Sequence, residues 1–389
     1  MVTSASGVAV SHLLSIGLPP PQPRITVSPA NPPASTAHPD ALAAVLRGQE
    51  CEHEGGSFAE AEALYRRALK IDPDYRRAKF YLGQLYLAEG DYARAWPLLE
   101  HRYVPGHQGA GPPRWKGENL RGKTIAVTLE AGLGDQLQFA RFVPLLRSRG
   151  GRVVLMCPAE LARIYKSLAG VDQVYPVGSI PGGVNVNIEV TLRPDYYIDL
   201  CSLPHIFNLD SHAVPQPPYL HADPADVECW RPRLPPCGLR VGLVWRGGVH
   251  NAYDPWRSLP SLSALAPLWQ VPGVTFVSLQ KGAGEDEARS SPLPLVHIGS
   301  EVNDFADTAA ILAQVDVLIS VDTSTAHLAA ALGKPLWVLL DRVPDWRWRP
   351  ESMRRWFPSA RAFYQHRSGE WGGVIEDVVA ALRELVNAR

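Results

Sequence analysis

From residue 124 onward, short apolar runs alternate with segments whose apolar residues recur at helical spacing. Short apolar runs predict buried strands, and the longer periodicity predicts amphipathic helices. The predicted strands are Thr124–Leu129, Val153–Met156, Gln173–Val177, Arg240–Trp245, Thr275–Leu279, Val317–Ser320 and Leu336–Leu339. The predicted helices are Gln136–Arg147, Ala159–Leu168, Ser261–Trp269, Asp304–Gln314, Ser324–Leu332 and Val374–Val386. This alternation is typical of α/β proteins, in which helices cover both faces of a parallel sheet.

A proline-rich stretch at 232–236 divides this α/β region into two halves of similar size, 123–235 and 236–389. Because each half has its own series of strands and helices, we predict two Rossmann-like domains. Ligands of such sheets bind in a crevice at the carboxyl ends of the strands. The sequence therefore predicts a cleft between the halves, walled by the turns that follow the strands.

Residues 41–104 contain an internal repeat with a spacing of 34 residues. The aligned pairs are Gly56 and Gly90, Phe58 and Tyr92, Ala61 and Ala95, Tyr65 and Leu99, and Ala68 and Arg102. This spacing is the period of the tetratricopeptide repeat, so the segment resembles two such helix pairs. Two repeats are marginal as an independent solenoid, and Pro97 and Arg102 depart from the pattern. We therefore expect the second repeat to pack on the domain that follows.

Two segments flank the repeats. Residues 1–40 contain eight prolines, no aromatic residue, and only Arg24 and Asp40 as charged residues. Such a composition predicts a disordered tail, with extended chain packed on the body as the alternative. Residues 105–122 are rich in glycine and proline and predict a linker.

Composition narrows the function classes. The 389 residues include 38 Lys and Arg against 39 Asp and Glu, which argues against a nucleic-acid binder. No apolar run reaches the ~18–20 residues of a transmembrane helix. The five cysteines are scattered, so neither a disulfide framework nor a cysteine metal site is expected. With no basic signal sequence at the N-terminus, a cytoplasmic location is expected.

The first candidate chemical motif follows the first predicted strand and opens a helix. Gly132 and Gly134 would let the backbone turn sharply and approach a ligand closely. Asp135 at the helix start would serve either as a helix cap or as a general base facing the cleft. A single Gly-x-Gly-Asp is not the full dinucleotide fingerprint.

A second cluster of polar residues follows the strand 317–320. Its members are Asp322, Thr323, Ser324, Thr325 and His327. Free N–H groups and hydroxyls at a helix N-terminus can cradle a phosphate, and His327 lies one turn further along the helix. The alternative is a capping cluster followed by a core histidine. Five polar residues exceed what capping needs, so we favour a ligand site.

Basic residues follow the strand 240–245, in a loop that could bend around an anion. They and the intervening glycines are Arg246, Gly247, Gly248, His250 and Arg257. Arginine suits phosphate oxygens, although a solvated surface loop is the alternative.

Two further strand ends carry candidate groups. After strand 275–279, Gln280 could hydrogen-bond a base or ribose, and Lys281 could reach a phosphate or be solvated. The segment Asp345-Trp-Arg-Trp348 could wall a pocket or form a packed corner. The chain has no Walker lysine motif, no Gly-x-Ser-x-Gly elbow and no His, Cys or carboxylate cluster at metal spacing. Phosphate charge would then be neutralised by side chains and helix ends, without a metal.

Taken in order, these motifs resemble those of bacterial tetratricopeptide-repeat glycosyltransferases. The matching segments are Gly-Leu-Gly-Asp, Val-Gly-Leu-Val-Trp, Arg-Ser, Val-Ser-Leu-Gln-Lys, Asp-Thr-Ala-Ala-Ile-Leu, Val-Asp-Thr-Ser-Thr-Ala-His, Gly-Lys-Pro-Leu-Trp and Asp-Trp-Arg-Trp. The catalytic part is similar to the heptosyltransferases of glycosyltransferase family 9, and the resemblance as a whole, repeats included, covers about residues 41–388. The resemblance implies a GT-B fold, a nucleotide-sugar donor, and metal-independent inverting transfer without a cofactor. It also implies Asp135 as the base, and a diphosphate cradle of Asp322, Thr323, Ser324 and His327.

The chain departs from the heptosyltransferase pattern at two places. A lysine expected after the first strand of the second half is missing, with Arg246 and Arg257 nearest, and Ser324 replaces a glycine. The expected function is transfer of a sugar to a protein or glycan acceptor that the repeats recruit. The repeats are also similar to those of protein O-linked N-acetylglucosamine transferases, which use UDP sugars. The alternatives are an inactive scaffold and an ADP-heptose transferase of lipopolysaccharide core assembly.

Overall fold

The computed structural model describes residues 38–102, 112–177, 193–210, 212–236, 238–248 and 254–389. Residues 1–37, which are most of the predicted tail, lie outside the described residues, as do 103–111, which include the first part of the predicted linker. The described chain is a helical region followed by two parallel sheets with helices around them. Across these ranges, no helix combines the length and apolarity needed to cross a bilayer.

The N-terminal region is built from two antiparallel helix pairs. Its helices are α1 (Pro39–Glu54), α2 (Phe58–Ile71), α3 (Arg76–Ala88) and α4 (Tyr92–Leu99). A capping box starts α2: the Ser57 hydroxyl accepts from Glu60 N–H at 3.3 Å, and the Glu60 carboxylate accepts from Ser57 N–H at 2.9 Å. Glycine sits where the helices cross, since a Cβ on Gly48 would lie 2.6 Å from the Tyr65 ring. The pairs form the predicted tetratricopeptide arrangement.

The first sheet has four strands in the order β3-β2-β1-β4, all parallel. Its strands are β1 (Thr124–Thr128), β2 (Arg152–Pro158), β3 (Gln173–Val177) and β4 (Tyr196–Asp199). The associated helices are α5 (Leu133–Phe139), α6 (Pro144–Ser148), α7 (Ala159–Tyr165), α8 (Leu203–Ile206) and α9 (Pro224–Trp230). The chain moves outward from β1 to β3 and then returns to the other side of β1, so the strand order reverses between β1 and β4.

The second sheet has six parallel strands in the order β10-β9-β8-β5-β6-β7. Its strands are β5 (Leu239–Val244), β6 (Val274–Ser278), β7 (Leu295–His297), β8 (Val317–Val321), β9 (Leu336–Leu340) and β10 (Ala360–Tyr364). Its helices are α10 (Asp254–Arg257), α11 (Glu285–Arg289), α12 (Phe305–Leu312), α13 (Ser324–Ala331), α14 (Pro350–Trp356) and α15 (Gly372–Asn387). Here the strand order reverses between β5 and β8.

Two helix predictions are wrong in type or extent. The segment 136–147 divides into α5, a 3-10 helix at Ala140–Phe142, and α6, because Pro144 has no N–H to continue one helix. The segment 261–269 forms a 3-10 helix, Leu262–Gln270, that contains Pro267. The strands β4, β7 and β10 were not predicted.

The described part of the predicted linker, 112–122, packs on the first sheet. Trp115 is fully buried, and its backbone N–H donates to the Tyr197 carbonyl at 2.7 Å. The Trp115 indole donates to the Glu118 carbonyl at 2.9 Å. These residues are therefore part of the first domain rather than a free connection.

The second repeat docks on the first α/β half, as its departures from the repeat pattern predict. The Arg102 side chain is only 4% exposed and pairs with both carboxylate oxygens of Glu130 through its Nε and Nη2. It also donates to the Ser202 hydroxyl at 2.7 Å. Nearby, the Trp96 indole donates to the Leu209 carbonyl at 2.8 Å. Arg102 thus replaces a small repeat residue with a buried ion pair to the neighbouring domain.

The same helices also contact the second half. The Trp356 indole donates to the Tyr92 hydroxyl at 2.6 Å, and the Ser352 hydroxyl donates to the Leu87 carbonyl at 3.1 Å. One continuous apolar core joins the repeats, the first sheet and one face of the second sheet. A separate core lies between the other face of the second sheet and α15. The repeats therefore act as a brace across both α/β halves.

Candidate functional site

A cavity of about 500 Å³ lies between the two α/β halves, at the carboxyl ends of β1, β5, β6 and β8. The predicted site residues that line it are Gly132, Gly134, Asp135, Arg246, Gly247, Gly248, Arg257, Gln280, Lys281, Asp322, Thr323, Ser324, Thr325 and His327. His250 lies outside the described residues. The motifs around 246 and 322 follow β5 and β8, the two strands between which the sheet order reverses. Ligands of doubly wound sheets bind at such a reversal.

Asp135 lies in the first turn of α5, with its side chain 15% exposed. One carboxylate oxygen accepts from the Arg347 guanidinium, and the other accepts from Gly132 N–H at 3.2 Å. Burial raises the pKa of the Asp135 carboxyl, while the positive charge of Arg347 opposes that rise. Asp135 therefore does both things that its position allowed: it bonds the backbone at the helix start, and it borders the cleft.

The two glycines of this turn serve different purposes from those expected. Gly132 has φ −75°, and the left-handed residue of the turn is Ala131 at φ 68°. A Cβ on Gly134 would lie 2.7 Å from Cδ2 of His327. The close approach at Gly134 is thus to a side chain of the second half, and it lets α5 pack directly against α13.

The turn after β8 combines a helix cap with a paired acid. The Thr323 hydroxyl caps α13 by accepting from Ala326 N–H at 3.3 Å, and it lies 3.0 Å from the Ser320 hydroxyl. The Asp322 carboxylate lies 3.5 Å from Nε2 of His327. Burial would raise the pKa of Asp322, but hydrogen bonding to His327 and the charges of His327 and Arg257 lower it to about 2.

Within the described part of the chain, the hydroxyls of Ser324 and Thr325 have no hydrogen-bond partner, and both residues border the cavity. The first N–H groups of α13 also point out of this end of the helix. The Thr323 hydroxyl is used as the helix cap, and the hydroxyls of Ser324 and Thr325 remain available to a ligand.

Gln280 has a structural task that the sequence did not predict. Its Oε1 accepts from the N–H groups of Trp245 and Arg246 at 2.9 and 3.0 Å. Its Nε2 donates to the carbonyls of Arg246 and Ala283 at 3.0 and 2.7 Å. Both N–H donors of the Gln280 amide are used within the protein, and the side chain is buried. Instead of the expected contact with a base or ribose, the side chain holds the loop around Arg246 in place.

The basic side chains of the cleft use only some of their N–H donors in contacts within the protein. Lys281 Nζ donates to the Val302 carbonyl at 2.6 Å, and Arg257 Nε lies 3.3 Å from Asp254 Oδ1. Arg246 reaches the Pro260 carbonyl and lies 3.5 Å from Glu287. Lysine and arginine each have further N–H donors. These three side chains can therefore still contact an anion.

The Asp345-Trp-Arg-Trp348 segment, for which the sequence left a pocket wall and a packed corner as alternatives, is both. Arg347 stacks on Trp346, with its guanidinium carbon 4.8 Å from the ring centroid, and pairs with Asp345 at 2.8 Å. Both Arg347 and Asp345 border the cavity, so this corner is packed and also part of the cleft wall. An arginine between two tryptophans was the available signal. Its pairing with Asp135, 212 residues away, was not readable from the sequence.

The charges that line the cavity do not make it a basic cleft. The cations are Arg246, Arg257, Lys281 and Arg347, and the carboxylates are Asp135, Glu160, Asp304, Asp322 and Asp345. No group of three or more His, Cys, Asp or Glu side chains in the described ranges is arranged to hold a metal ion. An anionic ligand would therefore depend on local contacts, at α13 and the loop after β5, rather than on an overall positive field.

Comparison with known proteins agrees with this architecture. Residues 53–101 match the tetratricopeptide repeat family. The chain superimposes on the ADP-heptose lipopolysaccharide heptosyltransferase II of E. coli with a TM-score of 0.50 and 14% identity, over 68% of this chain and 99% of that one. The α/β body has the heptosyltransferase fold. A glycosyl transferase family 9 structure from Veillonella parvula is similar at a TM-score of 0.49 and 13% identity, over 71% of this chain and 100% of that one.

Among curated proteins, this chain is similar to Protein FlbA of Caulobacter vibrioides. The two are 29% identical over 351 residues, which cover 85% of this chain. The matched region spans 58% of the length of FlbA. The likeness extends beyond the length of the repeats alone, into the α/β body.

Proposed function

We propose that this chain is a metal-independent inverting glycosyltransferase that moves a sugar from a nucleotide-diphosphate sugar to a protein or glycan acceptor. The observation that carries the proposal is the meeting of polar turns from both halves in one cleft. A carboxylate comes from the first half, and a helix start with two free hydroxyls and nearby cations comes from the second half. Such a division suits a reaction with one partner on each side.

The donor diphosphate would bind at the start of α13. The hydroxyls of Ser324 and Thr325 and the free N–H groups of the helix would contact its oxygens, and the helix dipole would favour the negative charge. Arg257 and Lys281 would supply positive charge as the diphosphate leaves. This arrangement needs no metal ion.

The transfer itself would be a single displacement. The acceptor hydroxyl oxygen forms a bond to the anomeric carbon while the bond from that carbon to the diphosphate breaks. The diphosphate departs with the bonding electron pair, and Asp135 takes the hydroxyl proton. Attack opposite the leaving group inverts the anomeric configuration. Because burial raises the pKa of Asp135, it is a stronger base than an exposed aspartate.

The repeats would bring the acceptor to this cleft. They pack beside the first half, which supplies the base, through Arg102 and Trp96. An acceptor protein bound to the repeats would thus be held near the Asp135 side of the site.

The test is a calorimetric titration of the full chain with ADP, UDP, GDP, CDP and dTDP. We expect one of them to bind, and Arg257→Gln to weaken that binding about 10- to 100-fold through loss of a charge-assisted hydrogen bond. Arg354→Gln, on the exposed face of α14, is the matched control and should bind like the wild type. If none of the five binds, the chain is better described as a scaffold; binding of ADP alone would favour a heptose donor.

The second arm measures turnover of the matching nucleotide sugar. Asp135→Asn should keep the nucleotide affinity and lose about 10²- to 10⁴-fold in rate, because the proton acceptor is gone. Wild-type turnover in this variant would remove Asp135 from the mechanism. The anomeric configuration of the product tests inversion, and turnover in EDTA tests metal independence.

A further inference from the structure

The guanidinium of Arg347 makes an interaction in each of three directions. Its Nη2 donates to Oδ1 of Asp135, its Nε donates to Oε1 of Gln138 at 2.6 Å, and its Nη1 donates to Oδ1 of Asp345 at 2.8 Å. The face of the group lies on Trp346. With its side chain 8% exposed and each of its three guanidinium nitrogens hydrogen-bonded, the arginine is held in one position.

We infer that Arg347 is the positioning residue of the base, fixing the Asp135 carboxylate across the interface between the halves so that one oxygen faces the acceptor. The inference rests on the proposed function and deepens it. Arg347 bonds two residues of α5, Asp135 and Gln138, so it grips the helix as well as the carboxylate.

The hydrogen bonds of Asp135 leave room for a substrate. Among the described residues, Oδ1 accepts from Arg347, while Oδ2 accepts a bond of 3.2 Å from Gly132 N–H. A carboxylate oxygen can accept two hydrogen bonds. With Oδ1 held by Arg347, Oδ2 keeps one lone pair for the acceptor hydroxyl.

The base is assembled from both halves of the molecule. Asp135 and Gln138 belong to the first half, whereas Arg347, Asp345 and His327 belong to the second. A cleft opened by rotation of the halves would take the arginine away from the carboxylate. The carboxylate is thus correctly placed only when the halves are together.

Several charged or titratable groups face Asp135. They are Arg347 and Asp345 at the 3-10 helix Trp346–Trp348, His327 on α13, and Arg102 and Cys201 across a small cavity of about 30 Å³. Burial raises the pKa of Asp135, Arg347 and His327 lower it, and Asp345 raises it. Without the arginine, only His327 and the Gly132 N–H would still lower the pKa of Asp135 against the effects of burial and Asp345, so that pKa would rise further.

The first experiment is a pH profile of donor turnover, measured as release of the nucleoside diphosphate from a sugar conjugate of the nucleotide that binds in the titration. We expect Arg347→Met to move the acid limb of kcat/KM up by about one to three pH units, with recovery at high pH. Arg347→Lys should keep the limb near its wild-type position but lower the plateau, because a lysine keeps the charge and loses the planar contacts. If Arg347→Met lowered kcat/KM by the same factor at every pH, with no shift of the acid limb, the inference would be overturned.

The second experiment needs no activity. Urea unfolding of the full chain is measured at pH 5 and pH 8 for the wild type, Arg347→Met, Asp135→Asn and the double variant. Arg347→Met should lose more stability at pH 8, where the unpaired carboxylate is ionised, and the Asp135→Asn background should remove that difference. Equal losses at both pH values would contradict the pairing. If this pairing is present but Asp135→Asn retains turnover, the base role of Asp135 fails and the positioning role of Arg347 fails with it. If Asp135→Asn loses turnover but the pH profile of Arg347→Met does not shift, the inference about Arg347 fails alone.

Discussion

His327 and Gly134 set how closely the two halves approach each other. The His327 ring lies beside Trp348 and Phe357, with ring centroids 5.2 and 5.5 Å away, so it has little room to move. A Cβ at position 134 would therefore meet a fixed neighbour. At the residue scale, the second glycine of the Gly-x-Gly-Asp turn is required by packing between domains.

This packing gives a matched pair of alanine variants. Gly134→Ala should destabilise the chain by about 1–3 kcal/mol, because the new methyl collides with a ring that cannot shift. Gly132→Ala is the control: it has φ −75°, and its nearest neighbour would be Asp135 Oδ2 at 3.5 Å. Urea unfolding of both variants measures the difference. Equal stabilities would show that the His327 contact does not limit the approach of the halves.

At the scale of elements, the sequence predicts what local pattern controls. Buried strands such as β2 and β8 are found because their apolar runs are continuous, and the candidate residues are found because they directly follow strands. Helix 136–147 fails at Pro144, and β7 is too short, at three residues, to give a pattern. The roles of Gln280 and Arg347 depend on partners far away in the chain, which local pattern does not contain.

We expect the contact between the repeat helices and the first sheet to depend on pH, because an acidic residue takes part in it. Glu100, in the 3-10 helix Glu100–Arg102 that follows α4, pairs with Arg102 at 2.9 Å and Arg114 at 2.7 Å. Burial would raise the pKa of Glu100, but the two arginines lower it from 4.5 to about 2. Its carboxylate therefore stabilises the fold above about pH 4.5, and this contribution is lost as the pH falls towards 2.

Glu100→Gln tests this contact. The variant should lose about 3 kcal/mol of unfolding free energy at neutral pH, and the difference from wild type should shrink below about pH 4. The control is Glu351→Gln, whose side chain is 54% exposed in its pair with Arg354 and should change stability by less than about 1 kcal/mol. Urea unfolding as a function of pH measures both. A deficit that does not change with pH would contradict the ionic origin.

At the scale of the whole molecule, the apolar core is continuous from the repeats into both halves. Trp356 lies at the meeting point, fully buried and within 6.4 Å of the rings of Tyr92, Trp96, Phe139 and Phe142. Trp337, by contrast, belongs to the separate core near α15. A cavity made in the shared core should therefore destabilise the repeat helices, whereas a cavity in the second core should not.

Hydrogen exchange of two tryptophan variants tests this division. Trp356→Ala should cost about 3–5 kcal/mol and speed amide exchange in α4, because the helix loses its support. Trp337→Ala should cost stability in the second half while exchange in α4 stays slow. Trp356→Phe, a smaller change, provides the same comparison if the alanine variant does not fold. Exchange in α4 that is equally fast in all of these variants would contradict a shared core.

The brace formed by the repeats also fixes a length. Trp96 bonds to the first half and Tyr92 to the second half, so the repeats cannot rotate freely relative to the α/β body. If an acceptor binds these helices, the distance between the segment bound by the repeats and the hydroxyl that is modified in the cleft must be fixed. Inserting residues between those two points of an acceptor would then stop its modification while leaving its capture intact, which pull-down and transfer assays on the same acceptor would distinguish.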